Sequence, residues 1–138
     1  IISLNGARKT TSILKMIIFL NKGEFTMNKE LKKLLTETKK SGWAVTQEDG
    51  NVYDFGWWSP AGQDFHIQVD TENDVGYFLH NLYSVYNDFD VSAETYLWLD
   101  DTGHGRNGAP YDMKDVYEDM EACEEAIYDL WEALDNCL

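Results

Sequence analysis

This chain contains three neighbouring stretches in which every second residue is apolar. These stretches constrain its fold more than any other feature. The apolar positions are Trp43 and Val45, then Tyr53, Phe55 and Trp57, and finally Phe65, Ile67 and Val69. A period of two is typical of strands that bury one face. The first gap holds the hairpin signal Asp49-Gly50. The second holds Ser59-Pro60-Ala61-Gly62, which has the residue pattern of a type I turn. The sequence therefore predicts a three-stranded antiparallel meander.

Helical patterns flank the meander on both sides. Asn28 is a suitable N-cap for a first helix that carries an apolar stripe of leucines, and Gly42 is suited to follow its last turn. After the strands, Thr71 and Asp74 have the spacing of a capping box and predict the start of a second helix. A short helix is predicted from about Ser92 to Asp100.

The final helix has the most regular pattern, and Asp112 is its expected cap. Its apolar residues recur at alternating steps of four and three: Val116, Met120, Cys123, Ile127, Leu130, Leu134 and Cys137. Such a seam packs on the core of its own domain or forms a coiled-coil dimer. The element order predicts an α+β domain: an N-terminal helix, the three-stranded antiparallel meander, then two or three helices packed on one sheet face.

Residues 1–26 read as a leader outside the fold, so the single domain is expected to span 27–138. Lys22-Gly23-Glu24 back-translates to a purine-rich ribosome-binding site just upstream of the Met27 codon, which indicates mistranslated upstream DNA. The alternative is a signal peptide or membrane anchor. The uninterrupted apolar run, Met16–Leu20, is shorter than the ~7–15 residues of a signal sequence and the ~20 of a membrane span.

The domain is strongly acidic. The whole chain has 11 basic and 25 acidic residues; the leader holds four of the basic residues and one acid, which leaves a net charge of −17. From Ser41 onward, only Arg106 and Lys114 oppose 22 acids. This charge repels nucleic acid and anionic membranes, and it attracts basic proteins. We therefore expect no direct nucleic-acid or membrane binding. All five Trp and all eight Tyr lie after residue 27, so the domain has enough large apolar residues for a core.

The two cysteines indicate the cellular compartment. Cys123 and Cys137 are 14 residues apart on one predicted helix, a rise of about 21 Å, whereas a disulfide requires Cα atoms within about 7 Å. Reduced thiols and the lack of an export signal favour a cytoplasmic protein. The sequence leaves the role of the thiols and the oligomeric state open.

Ten acids between Asp112 and Asp135 share the last helix with a single Lys114, and they are expected on its solvent face. Carboxylates on successive turns lie about 5–6 Å apart, comparable with phosphates along a nucleic-acid strand. Such a face can occupy the basic groove of a nuclease or DNA-binding protein in place of DNA; the alternative is a face that only keeps the protein soluble. The candidate partner-binding residues are Glu118, Glu121, Glu124, Glu125, Asp129, Glu132 and Asp135.

Other site types lack their signatures. Two stretches resemble the start of an EF-hand loop, but Asn81 and Tyr111 stand where the bidentate Glu is required. His66, His80 and His104 have no ligand spacing, the cysteines lack zinc-type spacing, and no Ser has an identifiable base partner. We therefore expect no catalytic residues, no metal site and no cofactor, and a protein that is not an enzyme.

Trp58 is the candidate apolar anchor. Alternation along the second strand turns it away from the face that buries Trp57, and Trp is enriched at binding hot spots. The alternative is a ring covered by a neighbouring side chain.

Several segments resemble a loosely defined group of small acidic proteins carried by phages and conjugative elements of Gram-positive gut bacteria. They are Trp58–Phe65, Asp88-Phe89-Asp90-Val91, Asn107-Gly108-Ala109-Pro110 and the acidic last helix. The resemblance spans roughly Gly56 to Leu138 and transfers no catalytic residue. It implies a mobile-element accessory role, including antagonism of host restriction or CRISPR nucleases.

Two functions follow as hypotheses. In the first, a non-enzymatic cytoplasmic protein presents its carboxylates to a basic protein surface, as a nucleic-acid mimic. In the second, a structural or regulatory module docks through an apolar patch, either Trp58 or the cysteine-containing seam, without charge mimicry. The dependence of binding on ionic strength distinguishes the two hypotheses, because charge-based docking weakens steeply as ionic strength rises.

Overall fold

The computed structural model describes residues 28–109 and 111–138, and the predicted leader at 1–26 lies outside them. The predicted α+β class is confirmed, with one helix before the antiparallel meander and helices after it. The elements are α1 (Lys29–Lys40), β1 (Ala44–Asp49), β2 (Val52–Trp58), β3 (Asp64–Asp70), α2 (Val75–Asp88), α3 (Val91–Leu97), a 3-10 turn (Arg106–Gly108) and α4 (Met113–Asp135).

The three strands form one sheet in the order β1-β2-β3, and both pairs are antiparallel. The alternation predicted from the sequence is clearest in β3: Phe65, Ile67 and Val69 are buried, whereas Asp64, His66, Gln68 and Asp70 are exposed on the opposite, open face. A bulge between Gln47 and Asp49 precedes the first turn. In the second turn, the Gly62 N–H donates to the Ser59 carbonyl at 2.8 Å, the bond expected of the predicted type I turn.

Two helix boundaries differ from the sequence prediction: α3 ends at Leu97, before the predicted Asp100, and α2 starts differently. Asp74 is its N-cap and accepts from the Tyr77 N–H, so Thr71 does not form the predicted capping box. The Thr71 hydroxyl instead donates to the Asn51 carbonyl at 3.0 Å, in the turn between β1 and β2. Glu72 and Asn73 both have φ of +50°, which separates Thr71 from the helix. Asn28 and Asp112 cap α1 and α4 as predicted.

The core lies between the sheet and the helices, and α4 contributes six of the seven predicted seam residues to it, whereas Cys137 follows the helix and is partly buried. Six seam residues are at most 2 % exposed: Val116, Met120, Cys123, Ile127, Leu130 and Leu134. The seam therefore packs on the core of its own domain, and the hypothesis that it is a docking patch or a coiled-coil dimer surface is wrong. At the edge of the core, α2 and α4 are joined by four mutually contacting rings: Tyr83, Tyr86, Tyr128 and Trp131. None of the helices in the described part of the chain has both the length and the apolar character needed to cross a bilayer.

Candidate functional site

The exposed acids of α4 form a straight row opposite its buried seam. Successive helical residues are rotated by about 100°, so five exposed carboxylates fall within an arc of about 80° centred opposite the seam. These five residues, called the acidic row, are Glu118, Glu121, Glu125, Asp129 and Glu132. The other two candidate residues, Glu124 and Asp135, lie beside the row, and Glu124 is partly buried. The structure thus places five of the seven predicted residues on one continuous surface.

Little positive charge offsets the acidic row. Lys114 Nζ lies 2.8 Å from Glu118 Oε2, and this hydrogen bond raises the pKa of Lys114. Both side chains are more than half exposed, so solvent screens the pair and it stabilises the helix little. Within residues 28–109 and 111–138, the other four carboxylates of the row have no ion-pair partner. The row is therefore a surface of largely uncompensated negative charge.

The expectation that all ten acids of this segment face solvent is wrong for Asp119. It is 5 % exposed and lies between the acidic row and the seam, turned towards the loop between β2 and β3. Its Oδ2 accepts from Ser59 Oγ at 2.6 Å and from Gln63 Nε2 at 2.8 Å. Its Oδ1 accepts from the Ala61 N–H at 3.0 Å. Asp119 therefore fastens this loop to α4. No signal in the sequence links residues that are 56 to 60 positions apart.

Beside that loop lies a cleft of about 240 Å³, which we call the indole cleft. Trp58 and Trp98 stand in its walls together with Arg106 and Asn107, and the remaining lining residues are Gly62, Gln63, Asp64 and Ala109. Trp58 is 68 % exposed, whereas Trp57 is partly buried and stacks on Trp43 at 5.8 Å between ring centroids. The strand alternation thus turns Trp58 outward as predicted. Sequence reasoning missed Trp98 and Arg106 as its neighbours, since they follow it by 40 positions or more.

His66 is held between two carboxylates on the open face of the sheet. Its Nδ1 lies 2.6 Å from Asp54 Oδ2, and its Nε2 lies 2.8 Å from Asp64 Oδ1. The hydrogen bond to Asp54 is the largest cause of the raised pKa of His66, and partial burial opposes it. The ring lies over Gly56, where an added Cβ would stand 2.8 Å from His66 Cε1. Both ring nitrogens are engaged, so His66 acts as a clamp between β2 and β3.

The loops that resemble the start of an EF-hand are held by internal hydrogen bonds. Asn81 donates through Nδ2 to the Asp70 carbonyl at 2.7 Å. Asp100 Oδ1 accepts from the Thr102 hydroxyl at 2.6 Å, the largest cause of its lowered pKa, and also from the backbone N–H groups of His104 and Thr102. No cluster of His, Cys, Asp and Glu suited to a metal ion occurs in the described ranges. Burial raises the pKa of Cys123 to about 12, which keeps its thiol protonated.

No family model, curated protein or solved structure matches this chain.

Proposed function

We propose that this chain is a non-enzymatic acidic binding protein that docks the acidic row against a basic protein surface. The observation that carries the proposal is the alignment of five exposed carboxylates on α4, four of them without an ion-pair partner among the described residues. Like charges at i, i+3 and i+4 destabilise a helix, and Glu132 lies in its last turns, where the dipole disfavours acids. A basic partner would offset both costs.

The row has the length of a short nucleic-acid segment but a lower charge density. From Glu118 to Glu132 the helix rises about 21 Å, or one carboxylate per about 5 Å, against one phosphate per 3.4 Å along a B-DNA strand. The proposed mimicry therefore consists of a line of charge that enters a basic groove, without reproducing the duplex. Together with the resemblance to acidic proteins of phages and conjugative elements, this supports a nuclease or other DNA-binding protein as the partner, in the cytoplasm of a host cell.

A displacement assay tests the proposal directly. A fluorescent DNA duplex is bound to each member of a panel of purified nucleases and repressors, and the 138-residue chain is added while the anisotropy of the duplex is followed. We expect the chain to release DNA from at least one member at low salt, and the release to weaken steeply as salt rises.

Two triple variants with the same change in net charge separate a specific surface from general acidity. In the first, Glu121, Glu125 and Asp129 of the acidic row are replaced by Lys; in the second, the exposed residues Glu48, Asp88 and Asp101 are replaced by Lys. The row variant should lose displacement and the matched control should keep it. If both lose it equally, net charge alone is responsible and the row is no interface. If no panel member releases DNA, mimicry is abandoned.

The exposure of Trp58 favours a second candidate function, a protein-interaction module that docks through an apolar patch. Its complex would survive high salt and would be lost in Trp58→Ala, whereas the row variant would bind normally. Measuring partner retention for both variants at low and high salt distinguishes the two functions.

A further inference from the structure

The indole cleft combines rings and charge in a way that the acidic row does not explain. It lies where the loop after β2, the end of α3 and the 3-10 turn meet, and it brings together the first and third of the segments that carry the resemblance. At about 240 Å³ it is smaller than the ~300–1,000 Å³ typical of sites for drug-sized ligands. A small molecule of one or two rings fits such a volume.

Arg106 is fixed in the wall of this cleft by its own backbone and side chain. Its N–H donates to the Trp98 carbonyl at 3.0 Å, and its Nε donates to the Leu97 carbonyl at 3.2 Å. The segment is held further by a bridge between Leu99 and Gly105. The guanidinium is thus preorganised, and its terminal nitrogens form no ion pair within the part of the chain described here. A fixed guanidinium fork is suited to bind a carboxylate or phosphate through two hydrogen bonds.

The surrounding charge selects the carboxylate. Arg106 and Lys114 are the two basic residues after Ser41, against 22 acids, and Lys114 already pairs with Glu118. The field of such a chain repels a doubly charged phosphate more strongly than a singly charged carboxylate. Asp64, which also lines the cleft, adds to this discrimination.

The rest of the cleft favours a flat ring. Trp58 exposes most of its ring, and Trp98, which also lines the cleft, is partly buried. Aromatic rings pack favourably against each other in offset-stacked or edge-to-face arrangements.

We propose that the indole cleft binds a small aromatic monocarboxylate: the carboxylate pairs with Arg106, and the ring lies against Trp58 and Trp98. This site is independent of the acidic row, and its occupation requires no partner protein.

The test is a titration of the 138-residue chain with indole-3-acetate up to about 5 mM, a range that detects weak small-ligand binding. Binding is followed through the five tryptophan indole N–H signals in two-dimensional NMR spectra. We expect saturable shifts of the Trp58 and Trp98 signals while the signal of the buried Trp43 stays in place. Indole-3-acetamide, which lacks the charge, should bind more weakly by about tenfold or more.

Matched variants identify the cation responsible. Arg106→Gln should weaken binding of indole-3-acetate by about tenfold or more, whereas Lys114→Gln, with the same change in charge, should leave it within about twofold. Trp58→Ala supplies a second variant, because this exposed ring is outside the core, and it should weaken both probes. The proposal is overturned if the Trp58 and Trp98 signals show no saturable shift, or if Lys114→Gln weakens binding as much as Arg106→Gln. It is also overturned if indole-3-acetate and indole-3-acetamide bind equally well.

Discussion

Replacing Asp119 with Ala tests whether one buried carboxylate fastens the sheet to α4. The variant removes the acceptor of three hydrogen bonds and leaves Ser59 Oγ and Gln63 Nε2 in a buried site. A hydrogen bond to a charged acceptor contributes ~1.5–3 kcal/mol. The two buried donors together therefore account for about 3–6 kcal/mol, and the Ala61 N–H, which is only partly buried, can bond to water instead.

The net loss of stability is smaller than this sum. Folding of the wild-type protein includes the cost of desolvating the Asp119 carboxylate, and the Ala variant does not have this cost. We therefore expect Asp119→Ala to lower the free energy of unfolding by about 3 kcal/mol. Asp119→Asn keeps one acceptor oxygen and the shape of the side chain, so its loss should be about half as large. The free energy of unfolding of a small domain is roughly 5–15 kcal/mol, so both variants should still fold.

Urea unfolding followed by tryptophan fluorescence and circular dichroism measures these losses. Asp129→Ala is the matched control, since it removes a carboxylate from the exposed face of the same helix and should change stability by less than about 0.5 kcal/mol. If Asp119→Ala costs less than about 1 kcal/mol, or no more than the control, the carboxylate does not fasten the loop and our account of its role is refuted.

Three further predictions concern His66 and the two thiols. Because the pKa of His66 is raised in the folded state, its stabilising effect is complete below its ordinary value of 6.5 and is lost as pH rises through the raised value. Asp54→Asn should lower that pKa in an NMR titration and reduce the loss of stability between about pH 5.5 and about pH 9; an unchanged pKa would contradict this. Gly56→Ala should displace the ring, lower the same pKa and cost about 1 kcal/mol in urea unfolding, and normal stability would show that the ring moves freely. With a thiol reagent at pH 8, the partly buried Cys137 should react in the native protein and Cys123 only after unfolding; rapid modification of both would contradict the burial of Cys123.

The parts of the fold that the sequence predicted are those set by local patterns. The strands alternate with a period of two, and each turn contains its own glycine, so the meander could be predicted without knowledge of the rest of the chain. The seam of α4 is likewise a property of one helix. The error at Thr71 has a nonlocal cause: its hydroxyl bonds to the Asn51 carbonyl, 20 residues earlier, and the helix begins after Asp74 instead.

The same distinction between local and nonlocal causes applies to the candidate sites. The acidic row could be predicted because it depends on helix geometry alone, although the spacing does not show that Asp119 turns inward. The indole cleft could not be predicted, because Trp58, Trp98 and Arg106 come from three separate elements. Only tertiary contacts bring them together, and the partners of Asp119 are nonlocal in the same way.

The acidic row and the indole cleft should respond to salt in opposite directions, and this provides a test of both proposals on one protein. A basic partner is attracted by the field of the whole acidic chain, so added salt screens that attraction and weakens the complex. A monocarboxylate is repelled by the same field until it reaches Arg106. The Debye length falls from about 30 Å at 0.01 M salt to about 8 Å at 0.15 M, so salt in this range reduces the long-range repulsion more than it weakens the direct contact in the cleft. Indole-3-acetate should therefore bind as well or better at about 0.15 M salt than at about 0.01 M, while the complex with the protein partner weakens. If salt weakens the binding of indole-3-acetate as steeply as it weakens the partner complex, screening of the direct contact outweighs relief of the long-range repulsion, and our account of a contact protected within the cleft is wrong.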